Sequence, residues 1–349
     1  MSRPALVRAL RCEPTDRVPL WLMRQAGRFL PEYRALRAKH AFLDLATDAG
    51  RAAEVTMMPM RRFDLDAAII FADILLPLTG MGVGFGFARG EGPVIESPVR
   101  TPEDVARLRT FDPEKALAPT LDAISKVRAE LPPEKALLGF AGAPFTLASY
   151  MVEGGASRDY ARAKALIFRH PEAWLRMMET VRTVTRDYLS AQIRAGADAV
   201  QLFDSWVGCL APDDYRAFVL PHTAWIVQEL RTRHPDAPII HFGTGTATLL
   251  PAMQEAGAHA LGVDWRVPLA EARRIAGPEV AIQGNLDPAL LAAGPPERLR
   301  AAVRAIVAEG SRHPGYVFNL GHGVLPATPP EHVQVVVEEV HGFPKGARE

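Results

Sequence analysis

Two arginines, Arg24 and Arg28, stand four residues apart at the end of an apolar run, with Gln25, Ala26 and Gly27 between them. A guanidinium is a planar, permanently charged fork that forms paired hydrogen bonds with carboxylate or phosphate. An apolar run ending in two such cations reads as a buried strand opening onto an anion site. The plainer reading is two solvated arginines at a helix start. Gly27 allows a ligand or another stretch of backbone to come close. Asp73 follows an isoleucine-rich run, in a segment (71–78) without a cation. It reads as a helix N-cap or salt-bridge partner, or as a carboxylate that accepts several N–H donors or stabilises developing positive charge. A ligand matching both the arginines and Asp73 carries acidic groups and N–H groups together.

Other chemistry is sparser. Tyr150 can donate to a carboxylate or anchor its loop. Ser205 has no GxSxG setting, so a serine hydrolase is a poor fit. His322, between Gly321 and Gly323, can hydrogen-bond a carboxylate or shuttle a proton. His241, His322 and Cys209 fall near strand ends, but no HExxH or paired-cysteine spacing supports a metal. No lysine stands at a strand end, which leaves Schiff-base and pyridoxal chemistry without its residue.

The elements that must position these residues are short apolar strands alternating with helical periodicity. Strands are predicted at Val18–Met23, Ala67–Phe71, Ala136–Phe140, Ala199–Phe203, Ile239–Phe242, Ala260–Val263, Val280–Gln283 and Tyr316–Leu320. Helices are predicted from Pro31, over Thr47–Arg62, and from a capping threonine at Thr101. Another, from Pro212, is kinked or split at Pro221. The stripe Trp174, Met177, Met178, Val181, Val184, Tyr188 is a core face. A last helix opens with a capping box, Thr328 to Glu331, and buries Val333, Val336, Val337 and Val340. The glycine-rich stretch Gly80–Pro98 lacks GxGxxG spacing and reads as a loop or hairpin. Eight strand–helix units predict an α/β fold, a single (β/α)8 TIM barrel spanning 1–349 as one domain. A doubly wound open sheet lacks its glycine-rich first turn here. The strand ends carry Arg24, Asp73, Gly142, Asp204-Ser205, Gly243, Asp264, Gln283-Gly284-Asn285 and His322, and in a barrel those ends share one mouth.

Composition narrows the classes further. The 349 residues are 48% hydrophobic, with 40 basic and 40 acidic side chains, so the basic excess of a general nucleic-acid binder is missing. Two cysteines, Cys12 and Cys209, point to a reducing, cytoplasmic setting. The charged first twenty residues give no signal-peptide core, and no apolar run is long enough for a membrane span.

Taken together, the motifs resemble the uroporphyrinogen decarboxylases of haem biosynthesis. The likeness rests on Pro19-Leu20-Trp21-Leu22-Met23-Arg24-Gln25-Ala26-Gly27-Arg28 running on to Leu30-Pro31-Glu32-Tyr33, and on Phe71-Ala72-Asp73-Ile74-Leu75. It continues through Gly139-Phe140-Ala141-Gly142-Ala143-Pro144-Phe145-Thr146-Leu147, Tyr150 to Gly155, Gln201-Leu202-Phe203-Asp204-Ser205 and Gly321-His322-Gly323. These occur in the family's order over nearly the whole chain. The resemblance implies a homodimeric barrel that needs neither cofactor nor metal and turns the four acetates of uroporphyrinogen III into methyls. It implies that Arg24 through Arg28, Tyr150, Ser205 and His322 hold substrate carboxylates. Asp73 would accept pyrrole N–H bonds and stabilise a protonated ring. Arg24, Arg28, Asp73, Tyr150 and His322 form the expected catalytic set, with the proton donor open between an arginine, His322 and water. The same superfamily includes zinc-dependent corrinoid or folate methyltransferases, which by resemblance use a His-x-Cys motif. Here the matching stretch is His241-Phe242-Gly243, with glycine in place of the cysteine ligand. A porphyrin-binding protein without catalysis is the reading from outside the enzymes.

Overall fold

Seven of the eight predicted strands are present in the computed structural model, which describes residues 3–87 and 92–344. In chain order the strands are β1 (Ala67–Ile69), β2 (Phe85–Phe87), β3 (Pro93–Ile95), β4 (Ala136–Gly142) and β5 (Ala199–Asp204). Then come β6 (Ile239–Gly243), β7 (Ala260–Gly262), β8 (Ala281–Leu286) and β9 (Tyr316–Leu320). The main sheet runs β1-β4-β5-β6-β7-β8-β9, parallel at every pair. Helices alternate with these strands, and both faces of the sheet are covered. That is why the strands read as continuous apolar runs rather than as alternating ones. β2 and β3 form a separate antiparallel hairpin within the glycine-rich stretch Gly80–Pro98. Residues 88–91 of that stretch lie outside the described residues.

The exception is Val18–Met23. It occupies the eighth place, between β1 and β9, without forming a strand. Leu20 bridges Phe318 in parallel, Phe318 N–H donates to the Pro19 carbonyl (2.9 Å), and Asp66 N–H donates to the Leu20 carbonyl (2.8 Å). Its own donors go mostly to side chains. Leu20 N–H binds the Asp66 carboxylate (2.8 Å), and Met23 N–H binds the Asn319 amide oxygen (3.0 Å). Pro19 has no N–H to give. The sheet is therefore a curled, seven-stranded TIM-type barrel whose last gap is bridged by an extended segment pinned through side chains.

The interior beneath the mouth is polar and paired. Trp21 Nε1 donates to Gln283 Oε1, and Gln283 Nε2 donates to Gln201 Oε1, both at 2.9 Å. All three residues are buried. Asn285 donates to the carbonyls of Asp264 and Val267. Gln283 and Asn285 thus brace the barrel and do not face its mouth as open ligands.

Outside, the helix Ala49–Arg62 starts at Asp48, which accepts from Arg51 N–H, and the helix Pro102–Ala106 carries the predicted capping box at Thr101. The Trp174–Tyr188 stripe is buried along Pro171–Arg194. Val219 divides the Pro212 helix into Pro212–Phe218 and Leu220–Arg233, close to the predicted break. The final helix, Pro330–His341, differs from expectation at its start. Thr328 makes no cap, its hydroxyl is buried without a partner, and Pro329 takes the N-cap place. Two successive prolines fix the chain there without a side-chain cap. No helix among the described residues is long and apolar enough to cross a membrane.

Candidate active site

Arg24 follows the bridging segment directly, and its backbone lies in the left-handed region with φ 61°. A non-glycine residue pays on the order of 1–2 kcal/mol for that conformation, so the surrounding turn must enforce it. The turn is closed by Gln25 N–H to the Leu22 carbonyl and Leu30 N–H to the Gly27 carbonyl, both 3.0 Å. Gly27 is needed because a Cβ there would lie 2.9 Å from the Arg24 carbonyl oxygen. The close approach foreseen at Gly27 is therefore made by backbone. Gln25 is buried and its side chain is fully engaged. Its oxygen accepts from Leu22 N–H (3.0 Å) and its amide donates to the Ala67 carbonyl (2.9 Å), tying the turn to β1. Ala26 is half-buried.

Arg24 is exposed, and its aliphatic stem lies over Gly323, where a Cβ would meet Arg24 Cδ at 2.4 Å. Its charge is felt at Asp73, Tyr150 and His322, and that of Asp73 at Tyr150, so the four are coupled electrostatically. Arg28 is also exposed. Its carbonyl accepts from Arg34 (3.0 Å), and its charge reaches Tyr33.

Asp73 lies just beyond β1. It is half-buried in accessible surface, yet protein atoms crowd it closely enough that desolvation raises its carboxyl above the ordinary range. The Leu75 N–H bond to Oδ1 (2.8 Å) and the Arg24 charge oppose that rise. Tyr150, on the helix Pro144–Glu153, packs its ring on Trp206 with centroids 4.0 Å apart. Burial and the Asp73 charge push its phenol well above the usual value, so Tyr150 is a neutral O–H donor.

His322 sits between glycines because the strand end is crowded. A Cβ at Gly321 would lie 2.4 Å from Trp265 N. Gly323 N–H donates to His322 Nδ1 (2.7 Å), which leaves the proton of the neutral ring on Nε2. Burial, and then the Arg24 charge, pull its pKa down to about 4. His322 is accordingly a neutral N–H donor at pH 7, not an imidazolium. Ser205 directly follows β5, half-buried, its carbonyl held by the Thr244 hydroxyl.

Sequence spacing gave no sign of two further features. Aromatic edges run Phe140–Phe203 (5.5 Å), Phe203–Phe242 (5.8 Å) and Phe242–His322 (6.2 Å), an apolar lining from β4 across β5 and β6 to the end of β9. Behind it, fully buried Asp204 accepts from Thr146 (2.9 Å) and faces His241 Nε2 at 3.6 Å. Cys209 lies on the following short turn. Among the described residues no three His, Cys, Asp or Glu side chains converge as a metal site would require. Fixed cations, neutral donors and one isolated carboxylate around an apolar lining can bind a polyanion and stabilise positive charge formed between its anionic arms.

The family model described as Uroporphyrinogen decarboxylase (URO-D) matches residues 1–343. A uroporphyrinogen decarboxylase of Chloroflexus aurantiacus is 51% identical over 344 residues, covering 98% of this chain and 96% of its own length. One from Sorangium cellulosum is 50% identical over 341 residues, covering 98% and 97%. Among solved structures, a methyltransferase from Methanosarcina mazei shares the fold at TM-score 0.78 and 18% identity, over 96% of each chain. By the family model and by these full-length relatives, the chain belongs to the uroporphyrinogen decarboxylase family.

Proposed function

We propose that this chain removes carbon dioxide from the four acetate side chains of uroporphyrinogen III, giving coproporphyrinogen III, and that it does so as a single barrel domain without cofactor or metal. What supports the reading is that the Arg24 charge reaches Asp73, Tyr150 and His322, three groups set beyond the C-terminal ends of strands. The substrate presents eight carboxylates around four pyrrole N–H groups. Arg24 and Arg28 grip carboxylates, each charge-assisted bond contributing on the order of 1.5–3 kcal/mol. Tyr150, His322 through Nε2–H, and Ser205 donate to others. Asp73 accepts the pyrrole N–H bonds.

The chemistry needs an electron sink, because an acetate carbanion has nowhere to place its charge. Protonation of a pyrrole carbon makes the ring a cation. The C–C bond to the carboxylate then breaks and its electron pair neutralises the ring, leaving an exocyclic methylene. Protonation of that methylene and loss of the ring proton give the methyl, so each acetate consumes one proton and releases one carbon dioxide. Asp73 in its ionised form, which the Leu75 N–H and the Arg24 charge favour against burial, stabilises the ring cation. His322 is neutral, so it serves as a hydrogen-bond donor to carboxylate and leaves proton delivery to a solvent-connected group.

The wider assignments are a homodimer in the cytoplasm, testable by light scattering and by localising a tagged chain. The methyltransferase alternative is not favoured: Gly243 stands where a cysteine ligand would, and the full-length relatives near half identity are decarboxylases. Anaerobic incubation with uroporphyrinogen III, read by mass, tests the main reading. Stepwise loss of four carboxyl groups is expected, and an unaltered substrate mass refutes it.

A further inference from the structure

The end of β7 carries an arginine that the site described above does not use. Asp264 is fully buried there. It accepts from Gly245 N–H (2.6 Å), from Arg266 N–H (2.9 Å) and from Arg266 Nη1 (2.8 Å). The Arg266 guanidinium lies over the Trp265 ring, 4.1 Å from its centroid. An anchoring carboxylate and an aromatic platform together fix the plane of the fork, so little side-chain freedom remains to be lost on binding. The side chain is nevertheless 55% exposed, and its other N–H groups have no protein partner among the described residues.

Its location joins it to the mouth. Trp265 packs against Gly321, and Arg24 packs against Gly323, so Trp265-Arg266 and Arg24 flank the Gly321-His322-Gly323 turn. The charges of Arg24 and Arg266 both act on His322. A polyanionic ring carries more carboxylates than Arg24 and Arg28 can pair, and Arg266 lies on the other side of His322 from Arg24.

We propose that Arg266, stacked on Trp265 and tied to Asp264, is a further carboxylate-binding group at the mouth, contacting a peripheral carboxylate of the macrocycle on the side of His322 away from Arg24. This rests on the functional reading given above. The bland alternative is an arginine that only neutralises Asp264.

Steady-state anaerobic decarboxylation of uroporphyrinogen III by the full chain, compared with Arg266→Gln and Arg266→Lys, separates the two. For Arg266→Gln we expect KM to rise about tenfold, the scale of one exposed charge-assisted contact, with kcat within about threefold. Added salt should raise KM less in this variant than in the wild type. Loss of the charge paired with fully buried Asp264 should lower the melting temperature, so both constants are read well below that transition. Arg266→Lys keeps the charge beside Asp264 but not the stacked fork, so KM should rise by roughly threefold. It carries the test alone if Arg266→Gln does not fold. An active wild type with KM unchanged within twofold in the folded variants overturns the inference and leaves the functional reading standing. A wild type inert toward uroporphyrinogen III overturns both.

Discussion

Replacing Asp73 by asparagine removes one negative charge and little else. The amide oxygen still accepts the Leu75 N–H bond seen at 2.8 Å, so the loop beyond β1 keeps its anchor. In the bound substrate the ring is uncharged and the asparagine oxygen still accepts its pyrrole N–H bonds, so ground-state binding keeps those bonds without the charge. The ring cation needs the charge. A unit charge pair about 4 Å apart is worth roughly 4 kcal/mol at the effective dielectric of a partly enclosed site, equivalent to about a thousandfold in rate. We therefore expect kcat for uroporphyrinogen III to fall on the order of a thousandfold, with KM unchanged or lower. Anaerobic kinetics with products resolved by mass are the assay. A kcat within about tenfold of wild type, or a raised KM with normal kcat, refutes the role given to Asp73. The same carboxyl makes both turnover and stability depend on pH. Burial raises the folded-state pKa of this carboxyl, so the working ionised form is lost as pH falls through that raised value. The acid limb of the rate profile should lie above the ordinary carboxylate pKa of about 3.9 and disappear in the asparagine variant. The unfolded chain ionises Asp73 more readily than the folded one does, so the charge opposes folding above the unfolded pKa. Asp73→Asn should accordingly melt higher than wild type at pH 7.

Other perturbations test the scaffold around it. The His322 ring should titrate with a midpoint of about 4 and show the Nε2–H tautomer by nitrogen NMR at pH 7; a midpoint near 6.5 refutes its neutral-donor role. Gly323→Ala places a methyl 2.4 Å from Arg24 Cδ and should displace that side chain, raising KM by about tenfold while the melting temperature changes little. Unchanged KM would show that Arg24 need not lie over Gly323. Burial alone would raise the Asp66 carboxyl, but the His341 hydrogen bond (2.9 Å) and the charges of His341 and Arg17 hold it below the ordinary range. Its stabilisation is thus present above the unfolded carboxylate pKa and lost as pH falls through the depressed folded value. Asp66→Ala also orphans Leu20 N–H and should cost about 3–5 kcal/mol, read as a melting temperature lower by roughly 5–15 °C. A shift under about 2 °C would show that the eighth place of the barrel does not depend on that carboxylate.

The parallel alternation of strands and helices was legible along the chain, because apolar runs and 3.6-residue stripes follow from local burial. The same runs also placed Arg24, Asp73, Ser205 and His322 at strand ends. Since a barrel gathers those ends at one mouth, a linear pattern sufficed to suggest a shared site. The tertiary structure decided what each polar end does. Gln25, Gln283 and Asn285 looked open in the sequence, but their partners include Ala67, Trp21, Gln201 and Asp264, residues distant along the chain, so no spacing could reveal that they are braces. Val18–Met23 has the composition of a strand. It is pinned instead by the side chains of Asp66 and Asn319, which take backbone donors that a ladder would have used. Arg24's left-handed turn, the proton on His322 Nε2 and the fixing of Arg266 by Asp264 and Trp265 depend on contacts across elements. A one-dimensional pattern carries burial and strand polarity. The aim of a charged side chain and the protonation of a ring are set only once the chain has closed around them.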